Sequence, residues 1–229
     1  MSMSRFIGAV SLAAMSLILG GAGAASAATV AFTSNGSWIG STCERGCGVS
    51  GNTFQIGSGS GANDSRLIIA DFRSEFSTDG TMRLAKITWQ NNATSITDGS
   101  FNLQYSLALI FAQPTVLPSD KTGFTFSVQQ TPNPAGDTIG NMNSGIPAIG
   151  PFALPGMIIS NIRWAIVSAG AGSTFDSVTG SWYNPENNTA TIQLFADFQA
   201  LAVPEPASFA ILGAGLLGLA AARRARRKG

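Results

Sequence analysis

Residues that commonly carry enzyme chemistry are scarce in this chain. Of its 229 residues none is histidine and only two are cysteine. Without an imidazole the chain cannot assemble a Ser-His-Asp or Cys-His nucleophile, or a zinc site that contains histidine. Two thiolates are also too few for a four-ligand thiolate site. The sequence therefore favours a protein that is not an enzyme and that holds no metal and no cofactor.

Acidic residues leave one enzyme class open, a hydrolase that uses two carboxylates. Five residues are candidates for that role: Asp71, Glu75, Asp79, Asp98 and Asp176. We interpret them instead as residues of turns and strand ends, where Asp is common because its side chain bonds the local backbone. Asn63 and Asp64 offer oxygen ligands for calcium, but the spacing of a calcium-binding loop is missing, so this is the weaker alternative.

The two cysteines, Cys43 and Cys47, are separated by three residues that include Gly46. In an oxidising compartment such a close pair is expected to form one disulfide that closes a small loop. The alternative is a redox pair, but the C-x-x-C spacing that lowers a thiol pKa is absent. We therefore predict a structural disulfide.

Aromatic residues suggest a binding role. Trp182 and Tyr183 lie between Gly180 and Asn184, which indicates a turn, so this pair is expected to face solvent and to be able to stack on a sugar ring. Trp89 and Trp164 lie in apolar runs and are expected in the core. Residues 131–137 and 140–155 predict a long irregular crossing, which is a further candidate for a ligand-facing surface.

Short runs of alternating or apolar residues between turn signals predict strands rather than helices. The predicted strands are residues 53–56, 66–72, 83–89, 100–111, 123–130, 157–167 and 189–199. In the fourth run, aromatic and aliphatic residues alternate from Phe101 to Phe111, which is the period of a strand with one buried face. The pattern predicts an all-β domain over residues 28–202, an antiparallel β-sandwich or jelly roll.

Both ends of the chain predict export. Arg5, an apolar stretch and the Ala25-Ser26-Ala27 site are typical of a signal peptide over residues 1–27. At the other end, residues 207–222 carry no charge and predict a transmembrane helix, which is short for a full span. Five basic residues follow it, as expected for a stop on the cytoplasmic side: Arg223, Arg224, Arg226, Arg227 and Lys228.

Between these ends the chain is mildly acidic. Residues 28–203 contain seven basic and eleven acidic side chains, a net charge of −4, although the whole chain has +1. The positive charge therefore belongs to the ends, and nothing indicates a nucleic-acid partner.

Val203, Pro204, Glu205 and Pro206 come just before the apolar run and the basic end. Together, residues 203–229 resemble the PEP-CTERM sorting signal of Gram-negative bacteria. The resemblance is carried by this motif, the apolar run and the basic end, in that order. It implies processing by a membrane-embedded exosortase, transit in the inner membrane, and delivery to the cell surface or the exopolysaccharide matrix. A plain membrane anchor is the alternative.

A second resemblance covers part of the exported region. Residues 36–38, 53–57, 64–67 and 84–92 are similar to the choice-of-anchor extracellular modules, including the THxN group. Thr88, Gln90 and Asn91 match the THxN motif, whereas Trp89 stands at the histidine position. The resemblance implies a β-rich surface module. Together with the sorting signal it predicts a structural or adhesive protein, with a carbohydrate-binding module that acts on exopolysaccharide as the alternative.

Overall fold

The computed structural model describes residues 29–57, 63–77, 80–93, 99–113, 120–149, 157–200, 213–219 and 223–224. Residues Ala27–Leu201 form one compact unit, and Met1–Ser26 with Ala202–Gly229 form another. The second unit is described only at residues 213–219 and 223–224, which are helical. No helix in the described ranges is long and apolar enough to cross a membrane. The predicted signal peptide, the motif at 203–206 and most of the predicted membrane segment lie outside the described residues.

Strands make up most of the first unit. They are β1 (Thr29–Ser41), β2 (Cys47–Ser50), β3 (Thr53–Ile56), β4 (Ser65–Ala70), β5 (Phe72–Ser77), β6 (Gly80–Asn91), β7 (Ser100–Gln113), β8 (Asp120–Gln129), β9 (Asp137–Gly140), β10 (Met157–Ser168), β11 (Thr174–Asp176), β12 (Ser181–Asn184) and β13 (Asn188–Ala200). A 3-10 turn (Met142–Gly145) and a one-turn helix, α1 (Ile146–Ile149), follow β9.

The described strands form two antiparallel sheets. The first has seven strands in the order β11-β12-β9-β8-β7-β1-β5, and the second has six in the order β10-β13-β6-β4-β3-β2. Side chains alternate between the two faces of each strand, and the inward sets of both sheets form one hydrophobic core. The predicted antiparallel β-sandwich is thus confirmed.

Each of the seven predicted strands is present, with ends shifted by a few residues. Sequence reasoning missed six others, of which β1 is the longest. In β1 the inward positions include Ser34 and Gly36 between Phe32 and Trp38, so the apolar alternation is interrupted. The short missed strands form because they pair with neighbouring strands, since their own sequences show too little alternation of apolar residues to predict a strand.

The predicted irregular crossing at 140–155 is wrong for its first part, which is ordered as the end of β9, the 3-10 turn and α1. Met142 and Ile149 are buried there. The carbonyl of Met142 accepts a hydrogen bond from Trp164 Nε1 at 2.9 Å, and Gly145 lies against the Phe124 ring, where a Cβ would come within 2.5 Å. Burial of apolar side chains therefore orders a segment that local sequence leaves undefined. Residues 150–156 lie outside the described residues.

Aromatic side chains dominate the core. Trp89 and Trp164 are 1% and 2% exposed, which confirms their predicted core positions. Trp38 packs on Tyr105 with ring centroids 5.4 Å apart. The burial of Tyr105 raises the pKa of its phenol, with the charge of Asp71 adding to the effect.

The two ends of the sandwich differ. At one end, which we call the exit end, β13 finishes at Ala200, and Phe198 stacks on Phe32 with ring centroids 5.8 Å apart. The chain continues from there toward the C-terminus. At the opposite end, which we call the distal end, Asn188 begins β13 in register with Asn91, the last residue of β6.

Candidate functional site

The disulfide predicted from sequence is present. Cys43 and Cys47 are bonded, with their Cα atoms 6.0 Å apart. The bond closes the connection from β1 to β2 at the distal end, where Gly46 adopts a left-handed φ of 66°. The Gly46 carbonyl accepts a hydrogen bond from the Gly57 N–H at 2.6 Å. The disulfide closes this connection, and the hydrogen bond from Gly57 ties it to the end of β3.

The predicted solvent-facing pair Trp182 and Tyr183 is split by the structure. These residues lie in β12 and not in a turn, so successive side chains point to opposite faces. Trp182 is fully buried and packs edge-on against Trp89, with ring centroids 5.2 Å apart. The prediction for Trp182 is therefore wrong. Tyr183 is 38% exposed, as predicted.

The candidate carboxylates whose side chains the structure describes accept hydrogen bonds from backbone N–H groups. Asp71 accepts a hydrogen bond from the Gly36 N–H at 2.9 Å and so joins two segments. Asp176 accepts from the Val178 N–H at 2.9 Å and from Thr179 Oγ1 at 2.8 Å, and these bonds lower its pKa. Asp79 and Asp98 lie outside the described residues, as does the side chain of Glu75.

Asp64, one of the two proposed calcium ligands, likewise bonds to neighbouring residues. Asp64 is 4% exposed and accepts a hydrogen bond from Gln55 Nε2, while its carbonyl accepts one from Asn92 Nδ2 at 2.9 Å. Within the ranges that the structure describes, no three or more His, Cys, Asp or Glu side chains are grouped so as to hold a metal ion.

A buried set of amides holds the distal end together. Asn91 and Asn184 are both fully buried. Asn91 Nδ2 donates to the Asn184 carbonyl at 2.7 Å, and Asn184 Oδ1 accepts from Asn188 Nδ2 at 3.0 Å. Because β6 and the turn between β12 and β13 share these bonds, the amides fix that turn against the second sheet.

Two carboxyl groups lie beside these amides, and sequence reasoning missed both. Asp137 is 3% exposed and accepts from the Thr131 N–H at 2.8 Å. Burial raises its pKa, while hydrogen bonds from Thr131 and Asn91 oppose that effect. Burial, together with the charge of Asp137, raises the pKa of Glu186 to about 7. Burial in the tertiary structure thus raises both pKa values, an effect that leaves no local sequence signal.

A shallow groove of about 500 Å³ lies on the outer face of the seven-stranded sheet, toward the distal end. Neighbouring strands supply its side chains in two rows. In one row Thr138 pairs with Gln129, which pairs with Ser100. In the other, Gly140 pairs with Ser127, which pairs with Asn102. The hydroxyl and amide side chains that line the groove are Thr42, Ser100, Asn102, Ser127, Gln129, Thr138 and Ser181.

Nothing that lines the groove carries a charge. Asn102 and Gln129 are exposed amides, each able to donate and to accept hydrogen bonds. Tyr183 pairs with Thr138 and so extends the first row by one strand. A signal for this surface exists in the sequence, because the outward positions of the predicted strands β7 and β8 are neutral and polar near Asn102 and Gln129. Their neighbours in β9 and β12 could not be identified, since those strands were not predicted.

Comparisons with known proteins bear on the C-terminal end. Residues 202–227 match the PEP-CTERM protein-sorting motif. No curated protein and no solved structure is similar to the chain beyond chance. The resemblance to choice-of-anchor modules therefore stays a prediction. The match includes the motif at 203–206 and most of the basic end that was predicted as its final part. The chain thus carries a PEP-CTERM sorting signal, which marks it as an exported protein that an exosortase processes.

Proposed function

We propose that the exported domain is a non-enzymatic structural or adhesive component of the cell surface or extracellular matrix. The observation that carries this proposal is the position of the disulfide and the groove within the sandwich. β13 finishes at Ala200 at the exit end, whereas the disulfide and the groove lie toward the distal end. The disulfide and the neutral groove therefore share one end of the sandwich, and this end is the surface on which we expect a partner to bind.

The chemistry of the described residues supports a non-enzymatic role. The chain has no histidine, and both candidate carboxylates with described side chains, Asp71 and Asp176, bond to backbone N–H groups. The side chains that line the groove are neutral, and none of them is suited to act as a general acid or base near neutral pH.

Adhesion is tested by exchanging the domain. Cells displaying the full chain are compared with cells in which residues 28–202 are replaced by an unrelated inert sandwich between the same end signals. We expect the exchange to reduce cell aggregation and retention of matrix polysaccharide, with equal amounts of both proteins at the surface. Unchanged aggregation, or the appearance of new reducing ends when the purified protein meets matrix polysaccharide, would contradict the proposal.

A carbohydrate-binding module acting on exopolysaccharide is the second candidate. The neutral polar groove is the observation that favours it, because hydroxyl and amide side chains match the hydrogen-bonding groups of sugars. The two candidates are compatible, since an adhesive protein of a polysaccharide matrix needs a surface that holds polysaccharide.

A further inference from the structure

We infer that the groove on the seven-stranded sheet binds a neutral polysaccharide chain laid across strands β9, β8 and β7. This inference rests on the proposed adhesive function, since it names the site and the class of ligand through which the domain adheres. It concerns the outward side chains of these strands and not the buried Trp182.

The register of the sheet gives the groove its direction. Strands are about 4.8 Å apart, so the row from Tyr183 through Thr138 and Gln129 to Ser100 spans about 14 Å across the sheet. The second row, which runs from Gly140 to Asn102, lies two residues further along each strand, at about 7 Å. Two parallel rows of polar groups at this separation can line both sides of one extended chain.

Small residues give the groove its depth. Gly140 has no side chain, and Ser127 beside it is short. A Cβ built on Gly140 meets only the Ser127 carbonyl oxygen, at 3.7 Å, which is an ordinary contact. The space above Gly140 is therefore open, and a larger side chain fits there without displacing the backbone.

The polar groups are placed to bond a ligand. Ser127 Oγ donates to Asn102 Oδ1 at 3.3 Å, which orients the Asn102 amide. Thr42 Oγ1 accepts from the Asn102 N–H at 2.8 Å and so fixes the neighbouring strand end. Asn102 and Gln129 then present amides from the two rows.

The absence of charge among the lining residues selects the ligand class. A polyuronate or a sulfated chain would lose hydration in the groove without gaining an ion pair, whereas neutral hydroxyl groups exchange water for amide and hydroxyl partners. Tyr183 adds an aromatic face at one end of the first row. Its ring rests against Gly136, where a Cβ would come within 2.8 Å of Tyr183 Cε2. The ring therefore has a defined position against which a pyranose can stack.

The test uses the full-length chain, purified in detergent and immobilised, with three soluble probes: a neutral glucan, a neutral galactomannan and a polyuronate. We expect at least one neutral probe to bind and the polyuronate not to bind. Gly140→Val fills the groove and should weaken binding by about tenfold or more, which equals about 1.4 kcal/mol. Gln129→Ala should weaken it severalfold without adding bulk.

Gly123→Val is the matched control. Gly123 lies on the outer face of β8 like Ser127, but it does not line the groove, and a Cβ there has no atom within 4 Å. We expect wild-type binding from this variant, and thermal unfolding should show that all variants are folded. Three results would overturn the inference. They are equal binding by Gly140→Val and Gly123→Val, stronger binding of the polyuronate than of the neutral probes, and binding of none of the probes. If none binds while domain exchange still abolishes cell aggregation, the adhesive function stands and only the groove assignment fails.

Discussion

Glu186 should make the stability of this domain fall as pH rises toward neutrality. Its pKa is about 7 in the folded protein, against 4.5 for an ordinary glutamate, because it is partly buried beside Asp137. Between these two values the folded state binds more protons than the unfolded state, so each step up in pH favours unfolding. The raised pKa of Asp137 acts in the same direction.

The magnitude follows from the shift and the exposure. If the whole pKa shift of Glu186 changed the free energy of unfolding, the change would be about 3 kcal/mol. Glu186 is only partly buried, so solvent screens much of this, and we expect about 1 kcal/mol. For a domain of this size, that corresponds to a loss of about 2–4 °C in Tm between about pH 4.5 and 7.5.

The assay is thermal unfolding of the wild type and of Glu186→Gln across that pH range. Glutamine does not titrate, so the Tm of the variant should decrease much less with rising pH than the Tm of the wild type. At about pH 7.5 the variant should therefore unfold at a higher temperature than the wild type. Asn187→Gly is the control, because it changes the same turn at a left-handed φ of 58° without changing a charge. A wild-type Tm that rises over this range, or equal slopes for wild type and Glu186→Gln, would refute the assignment.

Three further predictions concern packing and processing. Trp182→Ala should lower the free energy of unfolding by about 3–5 kcal/mol because it empties a fully buried site. Tyr183→Ala, on the opposite face of β12, should lower it far less. Equal losses of stability for the two variants in urea unfolding would contradict the burial pattern. Gly145→Ala should lower the free energy of unfolding by about 1–3 kcal/mol because its Cβ would come within 2.5 Å of an aromatic ring. Gly123→Ala, which has open space around its Cβ, should leave the stability nearly unchanged. Equal stability of these two variants in urea unfolding would contradict this reasoning. Replacing residues 204–206 with alanine should prevent removal of the C-terminal tail. The intact mass of the surface protein would show whether the tail is retained. Loss of the tail from both the wild type and the alanine variant, or in a strain lacking the exosortase, would contradict processing at this motif.

Much of the fold could be predicted from the sequence because strands with one buried face carry a period of two. The run from Phe101 to Phe111 shows this clearly, and it forms most of β7, an interior strand of the seven-stranded sheet. The prediction failed where the period was broken or the element was short. β1 carries Ser34 and Gly36 on its inward face, and β12 has only four residues. Such strands form because neighbouring strands satisfy their backbone hydrogen bonds.

The candidate site was less predictable because it depends on register. Asn102 and Gln129 lie in strands that were predicted, but only the pairing of β7, β8 and β9 brings their side chains to one groove. The same holds for Asp137 and Glu186, which are far apart in sequence and become neighbours when β12 pairs with β9. Trp182 shows the opposite failure, since the flanking glycine and asparagine suggested a turn although pairing on both sides makes the segment a strand.

Residue order alone shows that this protein is exported, and it indicates the class of its fold. A sorting signal is recognised as a short linear segment, so residue order at 202–227 is sufficient to identify it, and the alternation of apolar residues is sufficient to indicate strands. The tertiary structure was needed to show at which end of the sandwich β13 finishes, which polar residues share the outer groove and which aromatic residues are buried. These properties arise from strand order and register, which place residues distant in sequence within contact distance, and no local pattern encodes them.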